Sequence, residues 1–96
     1  MTPYTIAPRA RRDLQDTWFY SRDRWGRRRA DAYIRDLTAM IEHLAASPLI
    51  GQACDEIRPG YRKHPVGSHM LFYVIREQAV VVLRVLHQQM DVEDKL

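Results

Sequence analysis

Cysteine, lysine and long apolar runs are all scarce in this chain of 96 residues. Its one cysteine, Cys54, has no partner for an internal disulfide, and with no second thiol or nearby histidine at ligand spacing it argues against a closed zinc site. A reducing compartment is the expectation. The longest apolar run, Ala79 to Leu83, falls far short of the roughly 20 residues that span a bilayer. The segment MTPYTIAPRARRDL also lacks the apolar stretch of a signal peptide, so a cytoplasmic location with no membrane partner is expected. Lysine occurs only at Lys63 and Lys95, which leaves thirteen of the 15 basic residues as arginine. Arginine's planar fork grips carboxylates and phosphates through two hydrogen bonds, which an ammonium cannot do.

What remains is globular in composition, with 46% apolar and 28% charged residues, and the length suits a single domain over residues 1–96. The charge is uneven. Residues 1–35 carry nine arginines against four aspartates (+5), residues 36–87 balance five bases with five acids, and residues 88–96 set Lys95 against Asp91, Glu93 and Asp94 (−2). A basic front half calls for an acidic partner, either nucleic acid or an acidic protein segment.

Apolar periodicity orders the chain. PYTIA reads as a short strand ending at Pro8, a residue well suited to the first position of a helix. Ala10, Leu14, Trp18, Ser21 and Trp25 then recur at helical spacing as one stripe. Gly26 interrupts it, and Ala30, Ile34, Leu37, Ile41 and Leu44 form a second stripe that stops before Pro48. Two helices joined at one glycine make a hairpin, and the stripes imply that Trp18 and Ile41 both lie between it and a sheet. Residues 48–56 are expected as a crossing loop. Three strands follow: Ile57 to Val66, loosened by Pro59 and Gly60; His69 to Arg76; and Ala79 to His87, the last two joined by a tight turn at Glu77-Gln78. The order β-α-α-β-β-β gives an α+β two-layer sandwich, with the hairpin on one face of a small, mainly antiparallel sheet. The last two strands are apolar on both faces, so the second face needs a cover, either the C-terminal tail or a partner chain.

Candidate chemistry is sparse. The arginines at 9, 11, 12, 22, 24 and 27–29 could line phosphates, but interleaved aspartates and the lack of a base-stacking aromatic pattern favour a solvated helix surface. The four histidines show no metal-ligand spacing, and no cofactor is implied. A metal-free ribonuclease needs a base, an acid and positive charge on the phosphate, for which His87, Arg62 and Arg84 with Lys63 are the available set if strand pairing brings His87 near Arg62.

Pro8-Arg9-Ala10 with Asp13-Leu14, Trp25-Gly26, Pro65-Val66-Gly67 with His69 and Phe72-Tyr73, and Arg84-Val85-Leu86-His87 with Met90-Asp91 together resemble the ParE-like branch of the RelE/ParE toxin superfamily over nearly the whole chain. The resemblance implies the same two-layer fold and the toxin half of a type II toxin-antitoxin module. It implies neutralisation by a ParD-like antitoxin whose acidic, amphipathic C-terminal segment wraps the toxin, and inhibition of DNA gyrase by protein contact without catalytic residues. For RelE-like cousins the implication is mRNA cleavage in the ribosome. Gln88 and Gln89 stand where such nucleases carry acid-base groups, and glutamine cannot serve as a general acid. The chain departs from the family at Gln89, often arginine there, and at His64, often apolar or aromatic. Partner-binding residues are expected at Arg58, Arg62, His69, Phe72, Arg84, His87, Met90 and Asp91, with no sequence-specific nucleic-acid contact. A non-toxic module that only binds an antitoxin is the remaining alternative.

Overall fold

Pro8 opens the first helix after extended Ala7 (φ −61°, ψ 152°), its fixed φ matching a helical first turn and its missing N–H lying where no intrahelical partner exists. In the computed structural model, which describes residues 3–90 and 95–96, this helix is α1 (Pro8–Trp25) and is followed at once by α2 (Arg27–Ala46). Gly26 makes the junction at φ +92°, a conformation that L side chains rarely adopt, and its N–H bonds to the Arg22 carbonyl. The hairpin limits agree with the spacing of the two stripes. Ser47 ends α2 because a residue before proline is pushed out of the helical region.

Five strands form one mixed sheet: β1 (Tyr4–Ile6), β2 (Gln52–Ala53), β3 (Arg62–Val66), β4 (His69–Arg76) and β5 (Ala79–His87), in the order β1-β5-β4-β3-β2. β1 runs parallel to β5, and the other neighbours are antiparallel. β4 and β5 meet at Glu77-Gln78, both at positive φ (52° and 67°), the mirror-image turn whose twist suits a hairpin. Among the described residues no helix is long and apolar enough to cross a membrane.

The hairpin covers one face. Ala10, Leu37, Ile41 and Leu44 pack on Leu71, Tyr73, Val80, Val82 and Val85, all at most 2% exposed. Ile41 lies in this core as expected, but α1 is turned from its expected stripe. Its buried residues are Ala10, Thr17 and Ser21, while Trp18 sits at the flank donating Nε1–H to Asp31 of α2 (2.7 Å) and Trp25 is 52% exposed. Small residues at 17 and 21 let the helix approach the sheet, and the indoles are too bulky for that place.

The second face has its own cover. Cys54, Phe72 and Leu86 form a buried cluster under Ile57, Tyr61, Met70 and Leu96. The expected strand from Ile57 begins only at Arg62. Before it, residues 54–61 coil into turns closed by Ile57 N–H to the Cys54 carbonyl (2.9 Å), Tyr61 N–H to the Arg58 carbonyl (3.1 Å) and Gly60 N–H to the Asp55 carboxylate (2.7 Å). Pro59 and Gly60 turn the chain, and the loop lies over Phe72. Phe72, expected to meet a partner, is 1% exposed and therefore a core residue. Burial also pushes the Cys54 thiol up, keeping it protonated.

Two side chains lock the crossing loop to the sheet. Tyr73 Oη donates to the Pro48 carbonyl (2.6 Å) and accepts Gly51 N–H (3.0 Å), at a point where a Cβ on residue 51 would stand 2.3 Å from that oxygen. Arg62 Nη2 donates to the carbonyls of Leu49 (3.1 Å) and Gly51 (2.5 Å). Tyr73→Phe strands the Gly51 N–H and the Pro48 carbonyl, so it is expected to destabilise by about 1 to 3 kcal/mol. Urea denaturation checks this, and an unchanged midpoint would show that the loop does not depend on the phenol.

Candidate partner-binding groove

Thr17 and Ser21, which let α1 approach the sheet, leave space on the hairpin side beyond them, where a groove of about 920 Å³ opens between the helices and the ends of β4 and β5. Its shape begins with an irregularity in β5. Phe72 pairs with Arg84 and Tyr73 with Val82, so Leu83 is an extra residue and the strand bulges there. The bulge frees the Val85 N–H, and Asp13 of α1 takes it. Asp13 Oδ2 accepts Val85 N–H (2.9 Å) and Arg84 Nε–H (2.7 Å), and Oδ1 accepts Arg84 Nη2–H (2.9 Å). The pair is mostly buried, with side chains 13% and 12% exposed, and the hydrogen bond to Asp13 raises the Arg84 pKa above its ordinary value. Arg84 Nη1 also donates to the Lys95 carbonyl (2.6 Å). Arg84 is thus a structural cation, engaged on two sides.

His69 lies deeper in the groove. Its Nδ1 is 2.7 Å from Tyr33 Oη and its Nε2 is 3.4 Å from Thr17 Oγ1, while its ring meets His87 edge to face with centroids 5.4 Å apart. Tyr33 Oη accepts Ser68 N–H (3.1 Å) and donates to the Val66 carbonyl (3.3 Å), which fixes the phenol beside the His69 ring. Burial holds the His69 pKa below its ordinary value, and the neighbouring His87 lowers it further against the opposing pull of Asp13. At the strand ends, Gln88 Nε2 donates to the carbonyls of Gly67 (2.9 Å) and His69 (3.2 Å), and His87 Nδ1 accepts Gln89 N–H (3.2 Å). Gln88 therefore ties the β3–β4 turn to the end of β5.

The expected site residues divide between places. His69, His87 and Arg84 line the groove, and Met90, 46% exposed, stands at its mouth. Arg58 is on the loop over the opposite face, with Nη1 on the Ile57 carbonyl (2.8 Å), and Asp91 lies outside the described residues. Arg62 pairs with Tyr73 while His87 pairs with His69, four residues further along β4. Strand spacing puts their backbones roughly 16 Å apart. With Arg62 on loop carbonyls and Arg84 on Asp13, the nuclease set of His87, Arg62 and Arg84 is not assembled. Among the described residues no group of three or more His, Cys, Asp or Glu could hold a metal ion. Asp13, Thr17 and Tyr33 are groove residues that periodicity missed; only the Asp13-Leu14 pair in the opening motif marked the first.

Residues 4–92 match the family model for the ParE toxin of the type II toxin-antitoxin system parDE. The chain is 51% identical over 94 residues to a curated Toxin ParE1 of Mycobacterium tuberculosis, covering 97% of this chain and 96% of that one. It is 45% identical over 91 residues to Toxin ParE1 of Caulobacter vibrioides, covering 95% and 94%. A solved structure described as the chromosomal ParDE TA system from P. aeruginosa has a chain of the same fold, with TM-score 0.79 at 16% identity over 91% of this chain and 96% of that one.

Two outcomes follow from the groove. Asp13→Ala leaves Arg84 and the Val85 N–H without their acceptor and is expected to cost about 3 to 5 kcal/mol, read by urea denaturation; a loss under about 1 kcal/mol would mean that the bulge stands without the carboxylate. His69 gives a pH dependence of defined sign. Its pKa is lower folded than unfolded, so its contribution is fully present above about 6.5 and is lost as pH falls through the lowered folded value. Wild type should lose stability relative to His69→Gln over that window, and parallel pH profiles of the two would refute the assignment.

Proposed function

The chain belongs to the ParE toxin family of type II toxin-antitoxin systems, and from that premise we propose that it is held by a ParD-like antitoxin seated in the groove and, when released, inhibits DNA gyrase by protein contact in the cytoplasm. The observation that carries the contact mechanism is that the expected nuclease set of His87, Arg62 and Arg84 is not assembled. His87 and Arg62 stand at different ends of the sheet, and both arginines of the would-be nuclease are bonded within the fold. With that set dispersed, the fold favours action by what the surface occupies.

The groove supports the antitoxin reading. Its outer rim carries the exposed rings of Tyr20 and Trp25, beside Arg29 on α2 and Met90 beyond β5. Exposed aromatic, arginine and methionine side chains around a concave surface are the residue types enriched at protein interfaces. An acidic, amphipathic segment would set apolar side chains against the rings and carboxylates against the arginines. Part of the outer face, around Phe72 and Leu86, is already covered by the 54–61 loop and Leu96.

Purified toxin incubated with gyrase and supercoiled plasmid is expected to yield trapped cleavage complexes, and prior addition of the cognate antitoxin should prevent them. Undisturbed supercoiling at stoichiometric excess of toxin would overturn the gyrase reading. Cleavage of mRNA in a translation extract would replace it with a ribonuclease, and normal growth on strong expression without antitoxin would leave only a binding module.

A further inference from the structure

The tip of the helix hairpin, at the outer rim of the groove, concentrates charge that has little counterpart among the described residues. All eight residues from Arg22 to Arg29 are exposed, and five arginines face one acid, Asp23, which is itself paired with Arg22 at 3.0 Å. Asp31, the next acid along the chain, accepts the Trp18 indole N–H. Arg27, Arg28 and Arg29 moreover occupy the first turn of α2, which has neither an acidic residue nor a side-chain cap. Cations there oppose the helix dipole, so local stability does not account for them.

Aromatic rings are interleaved with these arginines. Phe19, Tyr20 and Trp25 are 44%, 55% and 52% exposed. The Arg22 guanidinium lies 5.0 Å from the Phe19 centroid and 5.4 Å from that of Trp18; Arg24 lies 5.3 Å from Tyr20 and 5.7 Å from Trp25. Beside these arginines, periodicity alone assigns a core place to Trp25. The fold exposes it.

We propose that this tip binds single-stranded nucleic acid without sequence preference, phosphates on Arg24 and Arg27 to Arg29 and bases stacked on Tyr20 and Trp25. Tyr20, Trp25 and Arg29 also line the groove given to the antitoxin, so the strand is the occupant of the chain free of antitoxin, and charge favours it. Protein interfaces are depleted of charge at their centres, whereas nucleic-acid interfaces are strongly positive and polar; here five arginines stand among exposed rings with one acid between them. Arginine in place of lysine suits both the phosphate fork and stacking on bases. The proposal does not depend on the gyrase reading, since it concerns the isolated chain and a bare strand.

Fluorescence anisotropy of a labelled oligothymidylate titrated with the full chain tests it. For about four neutralised phosphates, raising salt from 50 to 200 mM should weaken binding roughly 50-fold. Arg24→Glu combined with Arg28→Glu should weaken it by roughly tenfold or more, and Trp25→Ala by roughly fivefold or more, with melting temperatures unchanged because all three side chains are exposed. Absence of binding at low salt, or equal binding by wild type and both variants, would overturn the proposal. So would polyglutamate bound as tightly with the same salt slope, which marks an acidic protein partner, or duplex DNA bound equally well with no effect of Trp25→Ala, which marks bare phosphate attraction.

Discussion

The Asp13 carboxylate is the contact on which the two layers depend for their register. It sits on the second turn of α1 and takes three hydrogen bonds from the bulge of β5, two from Arg84 and one from Val85 N–H. An extra residue in a strand reverses which face the following side chains meet. Val80 and Val82 face the helices before Leu83, and Val85 faces them after it, which puts Leu86 on the outer face with Phe72. A regular β5 would point residues 84 and 86 at the helices and bring a guanidinium into the core. The bulge avoids that, and Asp13 satisfies both the backbone group it frees and the arginine it redirects. A buried carboxylate is costly without partners, and this one has them on both oxygens.

From that clamp the sheet is asymmetric along its strands. One end is closed: Tyr73 and Arg62 bind the carbonyls and N–H of residues 48–51, and the loop follows the sheet edge into β2. The other end keeps Tyr33, His69 and His87 packed but reachable from the groove, with rings in contact rather than a lid above them. A rigid scaffold with one open end suits a protein that works by being held and by holding. The polar groups of the open end are bonded to one another, so the groove exists before any partner arrives.

Much of the architecture was legible because helices and punctuation are local. Pro8, Gly26 and Pro48 marked the limits of the hairpin, and Glu77-Gln78 marked the last turn, since each acts through its own backbone. The rotation of α1 was not legible, because aromatic residues at helical spacing look like a core stripe whether they are buried or displayed at a flank. Only packing shows that Thr17 joins the expected Ala10 and Ser21 beneath the helix and that Trp18 does not. The bulge was hidden for a related reason: in a run such as Val80 to Leu83 every residue is apolar, so no break in alternation records the extra one. The cover of the outer face was missed because residues 54–61, polar and interrupted by proline and glycine, reveal their role only once Ile57 and Tyr61 are seen over Phe72.

The same limit explains what the arginines could and could not say. Thirteen of one residue type in a short chain suggest one purpose, yet the fold divides them by surroundings. Arg84 is bound to a carboxylate and Arg62 to carbonyls, and both hold the protein together. Arg24 and Arg27 to Arg29 share the charge but are exposed and meet no acid among the described residues, with Arg24 beside exposed rings. A guanidinium already engaged by its own chain has few donors left for a partner, whereas a solvated one keeps all five. Net charge sums these two kinds without distinction. Among the arginines fit to contact something else are those on the first turn of α2 and Arg24 on the last of α1, close to where the two helices meet at Gly26.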